Sequence, residues 1–307
     1  MVDQKLSELR PKGAEITAAS GIQPTAQSSL YNPDLALAFF RSAGNIEEKK
    51  ATKPFFTEAD RVGGLFSKSP RMYLLLEGEV GLMLNRKFFG IVKQGEIFGE
   101  LSVIAGLPRS ASAIAVSDCR VVSLDSKQFQ LALQKAPEFA LMLMGIMVQR
   151  LRKSISILGG NDPASASAGA AAERGNIFNK KMLSKLAREL NAQSPLNVSS
   201  GDVIVSTGAV AALMYFVMDG SVAISLGNRV VEHVGPGGFF GEMALLDKAP
   251  RAATVTAKTD CTLLPIGRED FLDLVKSKPD FSAALLKAIA VRMQYLARQV
   301  AKVQPQI

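Results

Sequence analysis

The chain contains one histidine, His233, and two cysteines, Cys119 and Cys261, among its 307 residues. A zinc site needs several such ligands together, so the sequence offers no metal site to propose. Long apolar runs are also missing: the longest, Phe139–Val148, is about half of what a membrane-spanning helix requires. The start of the chain is charged where a signal peptide would be apolar. We therefore expect a cytoplasmic protein that does not contact a membrane.

Positive charge exceeds negative charge, and the net charge of +8 raises the hypothesis of nucleic-acid binding. The basic residues lie in short groups scattered along the chain, however, and no single segment concentrates them. Solvated helix surfaces account for such scattered charge. We do not expect nucleic acid as a partner, and we keep a DNA-associated regulator as an alternative.

One segment of the sequence occurs twice, and the number of positions between a residue and its counterpart in the other copy is the same for every matched pair. The first copy has the residues FGELS at 98–102 and LPRSAS at 107–112, and the second has FGEMA at 240–244 and APRAAT at 249–254. The two cysteines share that spacing, which favours buried reduced thiols in equivalent places over a disulfide. A repeat of this kind predicts two domains of one fold, and the chain is long enough for two cores.

The chemistry of the repeated segment suggests a cradle for a small phosphorylated ligand. A glycine lets the backbone approach a bound group, and the first N–H groups of a following helix can face an anion. An arginine supplies a fork of donors for phosphate oxygens, and a glutamate can accept from a sugar hydroxyl. One phosphate beside one free ribose hydroxyl describes a 3′,5′-cyclic nucleotide. In the two copies these residues are Gly99, Glu100 and Arg109, and Gly241, Glu242 and Arg251.

These motifs resemble the phosphate-binding cassette of cyclic-nucleotide-binding domains, a family that includes the bacterial catabolite activator and the regulatory subunits of cyclic-AMP-dependent kinase. The resemblance covers roughly residues 45–158 and 190–302. It implies that the terminal helix of each domain closes over the base, and Ser154 falls where that helix reaches the base edge. The alternative for Ser154 is an ordinary exposed helix serine. The ligand-binding residues that the resemblance implies are Gly99, Glu100, Leu101, Ser102, Arg109, Ser110 and Ser154, and Gly241, Glu242, Met243, Ala244, Arg251 and Ala252.

Short apolar runs separated by Gly and Asn predict antiparallel strands, and proline-led apolar segments predict helices after them. We expect an α+β chain with two β jelly-roll (double-stranded β-helix) domains, each flanked by helices and followed by a long C-terminal helix. The predicted divisions are an N-terminal tail and short helix, a first domain, a Gly/Ala/Ser linker that we expect to be flexible rather than helical, and a second domain. Their bounds are residues 1–44, 45–158, 159–175 and 176–307.

The resemblance also implies a function. The few residues after the last predicted helix cannot supply a helix-turn-helix, and no nucleophile, base and oxyanion arrangement lies beside the cassettes. We therefore expect a non-enzymatic sensor without a cofactor or an output domain, which binds a cyclic nucleotide and regulates an unidentified protein partner. Ala252 after Arg251 resembles cyclic-AMP sites, with cyclic GMP or a cyclic dinucleotide as alternatives. A module with one or both sites degenerate is the competing class, and the terminal helices could form a homodimer.

Overall fold

The computed structural model describes residues 28–58, 60, 69–84, 87–159, 172–174, 178–189, 194–210 and 213–303. The tail up to residue 27 and most of the predicted linker therefore lie outside the described residues. The chain divides into two compact units, one formed by Met1–Arg150 with Leu285–Ile307 and the other by Leu151–Ala284. Each unit is described in turn. The predicted domain bounds, which come from the sequence repeat, stay predictions.

The first described element of the first unit is the predicted short helix. Asn32 accepts a hydrogen bond from the Leu35 N–H at 3.0 Å, and Pro33 occupies the first helical turn, where its missing N–H costs nothing. The strands of this unit are β1 (Asn45–Lys49), β2 (Pro54–Phe56), β3 (Arg71–Glu77), β4 (Val80–Leu84), β5 (Lys87–Val92), β6 (Ile97–Phe98), β7 (Ser112–Ala115) and β8 (Cys119–Asp125). The helices are α1 (Pro33–Ala43), α2 (Glu100–Ala105), α3 (Ser126–Leu133) and α4 (Pro137–Gly159), whose end, from Leu151 onward, belongs to the second unit.

The strands of the first unit form two antiparallel sheets, ordered β1-β8-β3-β6 and β2-β7-β4-β5. Side chains from both sheets meet in one core, with Leu75 and Val121 from one sheet and Val80, Val92 and Ala113 from the other. Alternate strand positions point to the same face, so β3, β4, β7 and β8 each contribute two alternate residues to this core. The predicted jelly roll and the predicted α+β class are confirmed.

Helix α4 is apolar on several sides, and the structure buries it accordingly. Phe139, Leu143, Met144 and Met147 are fully buried, and the ring of Phe39 from α1 stacks on Phe139 with 3.7 Å between ring centroids. The short helix α1 therefore packs on this domain. Among the described residues, no single helix is long and apolar enough to cross a membrane, although α3 and α4, bent by 114°, pass that test of length and composition as a pair.

The second unit repeats the first. Its strands are β9 (Ala172–Arg174), β10 (Leu196–Val198), β11 (Val203–Val205), β12 (Leu213–Asp219), β13 (Val222–Leu226), β14 (Arg229–Val234), β15 (Phe239–Phe240), β16 (Thr254–Ala257) and β17 (Cys261–Gly267). They form sheets ordered β10-β17-β12-β15 and β11-β16-β13-β14-β9. The helices are α5 (Lys180–Glu189), α6 (Glu242–Asp247), α7 (Arg268–Ser277) and α8 (Pro279–Val303), the last continuing into the first unit.

Strand β9 differs from the sequence-based expectation. Ala172–Arg174 falls in the segment predicted as a linker, yet it pairs in parallel with β14 along the edge of the second sheet. The small residues that precede it gave no strand pattern. A three-residue strand can form there because the edge of β14 offers unpaired backbone groups to any extended neighbour.

Both cysteines are buried and free, as predicted. The Cys119 thiol lies 3.3 Å from the Glu79 carbonyl oxygen and 3.2 Å from that of Ser117. Burial raises the pKa of Cys119. The Cys261 thiol makes the equivalent contacts with the carbonyl oxygens of Ser221 and Thr259.

Candidate functional site

The junction between β6 and α2 can be built only with a glycine. Gly99 has a φ of 77°, in the left-handed region that residues with a side chain rarely adopt. A Cβ placed there would lie 2.9 Å from the Phe56 ring, 3.0 Å from Arg109 Nη1 and 3.0 Å from the Arg71 carbonyl oxygen. The missing side chain therefore makes room for the arginine that follows in the same motif.

Arg109 lies directly against this glycine. Its Nη1 donates to the Gly99 carbonyl at 3.0 Å and its Nη2 to the Arg71 carbonyl at 2.8 Å, while the guanidinium lies 3.9 Å from the centroid of the Phe56 ring. Burial lowers the pKa of Arg109, and the charge of Glu100 acts in the opposite direction. The two bonds use two of the five N–H donors of an arginine, so the group is oriented with donors left for an anion.

Glu100, the first residue of α2, is held by a residue that the sequence motif did not include. Its Oε1 accepts from Nη1 of Arg150 at 2.8 Å, and only 8% of the Glu100 side chain and 6% of the Arg150 side chain are exposed. Arg150 extends from α4, the long helix of the first jelly roll. A buried pair of this kind fixes the carboxylate in one orientation, which a group that recognises a hydroxyl requires.

The predicted residues of the first copy meet at one cleft. Its lining includes Gly99, Glu100, Leu101, Ser102, Arg109 and Ser110, together with Arg150 and apolar side chains such as those of Phe56 and Val92. The lining does not include the remaining predicted residue, Ser154, which is buried on α4 with 4% exposure. Ser154 is therefore not an exposed helix serine. Its contact with a base stays a prediction, as do the ligand roles of the other six.

The second copy reproduces this geometry. Gly241 has a φ of 85°, and its carbonyl accepts from Nη1 of Arg251 at 2.9 Å, while Nη2 donates to the Leu213 carbonyl at 2.5 Å. Glu242 begins α6 and is 1% exposed, with Met243 and Ala244 buried behind it, and Ala252 follows Arg251 in the chain. Burial lowers the pKa of Arg251. Equivalent atoms of the two arginines thus bond to equivalent carbonyls in both copies.

Comparison with known proteins agrees with this geometry. The model of the cyclic nucleotide-binding domain matches residues 67–136 and 195–278, about half of the chain. The chain belongs to the cyclic nucleotide-binding domain family. Both matched segments contain the complete cassette, from the glycine to the arginine and the small residues after it.

Curated members of this family include a cAMP-dependent protein kinase regulatory subunit from Eremothecium gossypii, 28% identical over 75% of this chain and 44% of its own length. A cyclic nucleotide-gated potassium channel from Mesorhizobium japonicum is 39% identical over 36% of this chain and 30% of its own length. The chain thus spans less than half of either relative. Among solved structures, the catabolite activator protein of Thermus thermophilus is 28% identical over 42% of this chain and 62% of that chain, with a TM-score of 0.37.

Two residues around the first cyclic-nucleotide cassette were missed by the motif. Arg150 has its repeat equivalent in Arg292, and an arginine inside an apolar helix was the signal that could have found it. Phe56 had no such signal, because the strand it belongs to precedes the segment in which the repeat is visible. Within the described ranges, no group of three His, Cys, Asp or Glu side chains is placed to hold a metal ion.

Proposed function

We propose that the chain is a cyclic-nucleotide sensor with two binding sites, one at each cassette. The observation that carries the proposal is the first cleft, where a buried carboxylate and an oriented guanidinium lie beside a glycine-capped helix. Arg109 and Arg251 bind the ligand phosphate, Glu100 and Glu242 accept from the ribose 2′-hydroxyl, and backbone N–H groups of the small residues complete each cradle. Ser154 contacts the base at the first site.

The preferred ligand is cyclic AMP, because Ala252 follows Arg251 as in cyclic-AMP sites. The protein is not an enzyme and works in the cytoplasm. Ligand binding changes its conformation and its affinity for a protein partner, as the name of the Eremothecium gossypii relative, a kinase regulatory subunit, suggests. A module whose sites have become degenerate is disfavoured by the intact glutamate and arginine of both copies.

Titration calorimetry with cyclic AMP, cyclic GMP and a cyclic dinucleotide tests the proposal. We expect two cyclic AMP molecules per chain for the unmodified protein, one for Arg109→Ala or Arg251→Ala under conditions that detect only tight binding, and none for the double variant. Each arginine contributes a charged hydrogen bond worth about 1.5–3 kcal/mol, so each substitution weakens its own site by about 10- to 150-fold.

The control is Arg120→Ala, which removes an exposed arginine paired with Glu77 on the surface of the first jelly roll. It should leave both affinities unchanged. Binding of cyclic AMP by the double variant with the affinity of the unmodified protein would overturn the assignment of both sites. Binding of a cyclic dinucleotide alone would overturn the choice of ligand.

A further inference from the structure

The segment that leads into the second phosphate-binding arginine is held by a residue from outside the cassette. Arg152 lies near the end of α4, in the part of that helix that belongs to the second unit. Its Nη2 donates to Asp247 Oδ1 at 2.9 Å, and its Nε donates to the other oxygen of the same carboxylate. The guanidinium therefore binds Asp247 in the two-pronged way that only arginine can provide.

The same guanidinium also contacts the backbone just before Arg251. Nη1 of Arg152 donates to the Pro250 carbonyl at 2.7 Å, and Nη2 lies 3.3 Å from the Ala249 carbonyl. Asp247 closes the turn from within, since its Oδ1 accepts from the Ala249 N–H at 3.1 Å. One side chain thus fixes most of the segment between α6 and Arg251.

Burial makes this contact more than a surface ion pair. The Asp247 side chain is 6% exposed and that of Arg152 is 22% exposed. An exposed pair contributes little to stability, whereas a bidentate pair that is shielded from water keeps its geometry. Arg152 also adds positive charge near Arg251, whose pKa is lowered first by burial and further by the charge of Arg152.

The first copy lacks an equivalent of the ion pair between Arg152 and Asp247. The residue equivalent to Arg152 in the repeat is Gln294, whose Nε2 lies 3.5 Å from the carbonyl oxygen of Pro108, the equivalent of Pro250. The residue equivalent to Asp247 is Ala105, which has no carboxylate. A side-chain contact with the loop carbonyl therefore exists in both copies, but only in the second copy does the contacting residue also form a bidentate ion pair.

We propose that Arg152 is a positioning residue of the second site: by holding Asp247–Pro250 it places Arg251 for the ligand phosphate. This inference rests on the proposed function of the second cassette. It predicts that Arg152→Ala weakens ligand binding at the second site by about tenfold, because charged hydrogen bonds to the loop are lost while Arg251 itself remains. The affinity of the first site should not change.

The test measures each site separately in the full chain. Cyclic AMP affinity of the second site is read in an Arg109→Ala background, and that of the first site in an Arg251→Ala background. Arg152→Lys keeps the charge but not the fork, and should recover only part of the affinity. Asp247→Ala should weaken the second site, and combining it with Arg152→Ala should add little, since both remove one interaction.

Two matched controls are available in the same helices. Lys153→Ala changes the charge of the neighbouring α4 residue without touching the loop contacts, and Gln294→Ala removes the weaker counterpart contact in the first unit. Lys153→Ala should leave both sites unchanged, and Gln294→Ala should weaken the first site by less than Arg152→Ala weakens the second. An equal loss at both sites for Arg152→Ala would show general destabilisation and overturn the proposal.

Hydrogen exchange without ligand separates this inference from the function on which it rests. Faster exchange of the backbone amides of Asp247, Lys248, Ala249 and Arg251 in Arg152→Ala, and not in Lys153→Ala, supports the positioning role even if the protein binds no cyclic nucleotide. Failure of the unmodified protein to bind any cyclic nucleotide would count against the proposed function alone. Unchanged exchange together with unchanged second-site affinity in Arg152→Ala would overturn the inference.

Discussion

Arg109 of the first site lies against the ring of Phe56, whereas the second site has a valine in the equivalent place. Phe56 lies opposite Ala113 and Val205 lies opposite Val255, and those two strand partners occupy matching positions of the repeat. The first arginine therefore lies against a ring within its own domain, whereas we propose that the second is positioned by the loop that Arg152 holds. Both arginines make the same two hydrogen bonds to backbone carbonyls. The backbone around the two guanidinium groups is therefore equivalent, and the additional contacts beside it differ.

We expect the largest effect from loss of the buried ion pair between Glu100 and Arg150 at the first site. Arg150→Ala leaves Glu100 buried and uncompensated, which should destabilise the first unit by about 3–5 kcal/mol. Arg120→Ala breaks a pair whose side chains are 48% and 60% exposed, and should cost about 1 kcal/mol or less. Thermal denaturation and regional hydrogen exchange measure both, and equal losses would refute a special role for the buried pair.

The next largest effects should come from replacing Gly99 or Gly241 with alanine. Both have positive φ, so alanine costs about 1–3 kcal/mol of backbone strain at either place. At Gly241 a new Cβ would lie 2.5 Å from Arg251 Nη1 and 3.2 Å from the Leu213 carbonyl oxygen. At Gly99 it would lie 3.0 Å from both Arg109 Nη1 and the Arg71 carbonyl oxygen, so the arginine is crowded more closely at the second site. Both substitutions should therefore reduce stability, and Gly241→Ala should reduce ligand affinity at its own site more than Gly99→Ala does at the first, because it displaces its arginine further.

Calorimetry and thermal denaturation of the two alanine variants would check this difference. A Gly241→Ala protein that binds ligand at its second site as tightly as the unmodified protein would mean that the close approach of Arg251 to Gly241 is dispensable.

Removal of the ring under Arg109 should have a smaller effect. A cation–π contact contributes about 0.5–2 kcal/mol, so Phe56→Leu should weaken the first site by about 2- to 30-fold and leave the second unchanged. Val205→Ala in the second jelly roll is the matched control for loss of apolar volume. If Val205→Ala weakened ligand binding at the second site as much as Phe56→Leu weakens it at the first, loss of apolar packing rather than loss of the ring would explain the effect of Phe56→Leu. Single-site titrations in the arginine-variant backgrounds provide the measurement.

The smallest effect concerns the ends of the two cassette helices. The C-cap residue after α2 is Gly106, with a φ of 68°, and the C-cap residue after α6 is the equivalent Lys248, with a φ of 56°. Lys248→Gly should stabilise the second unit by about 0.5–1 kcal/mol, because relief of left-handed strain exceeds the added chain entropy. Gly106→Ala should destabilise the first unit by a similar amount. Chemical denaturation, monitored by regional hydrogen exchange, measures whether each substitution stabilises or destabilises its unit. A loss of stability in Lys248→Gly would contradict the assignment of backbone strain to Lys248.

The sequence predicted the parts of the fold that the repeat copies faithfully. The jelly rolls, the cassette residues and the free thiols all follow from positions that match between the two copies. Phe56 could not be predicted, because its equivalent Val205 does not keep the spacing of the repeat: the segment between β2 and β3 is longer than the one between β11 and β12. Arg152 and Asp247 could not be predicted either, since neither residue is repeated and only the folded backbone brings them together.

The matching environments of Cys119 and Cys261 have a practical consequence. Each thiol is buried in the core of its own jelly roll and bonds to equivalent carbonyls, so neither reacts with a reagent until that jelly roll opens. Replacing one cysteine at a time would leave a single natural reporter in each half of the chain. Labelling rates would then measure how readily either half opens, and how a bound nucleotide changes that rate, without any introduced probe.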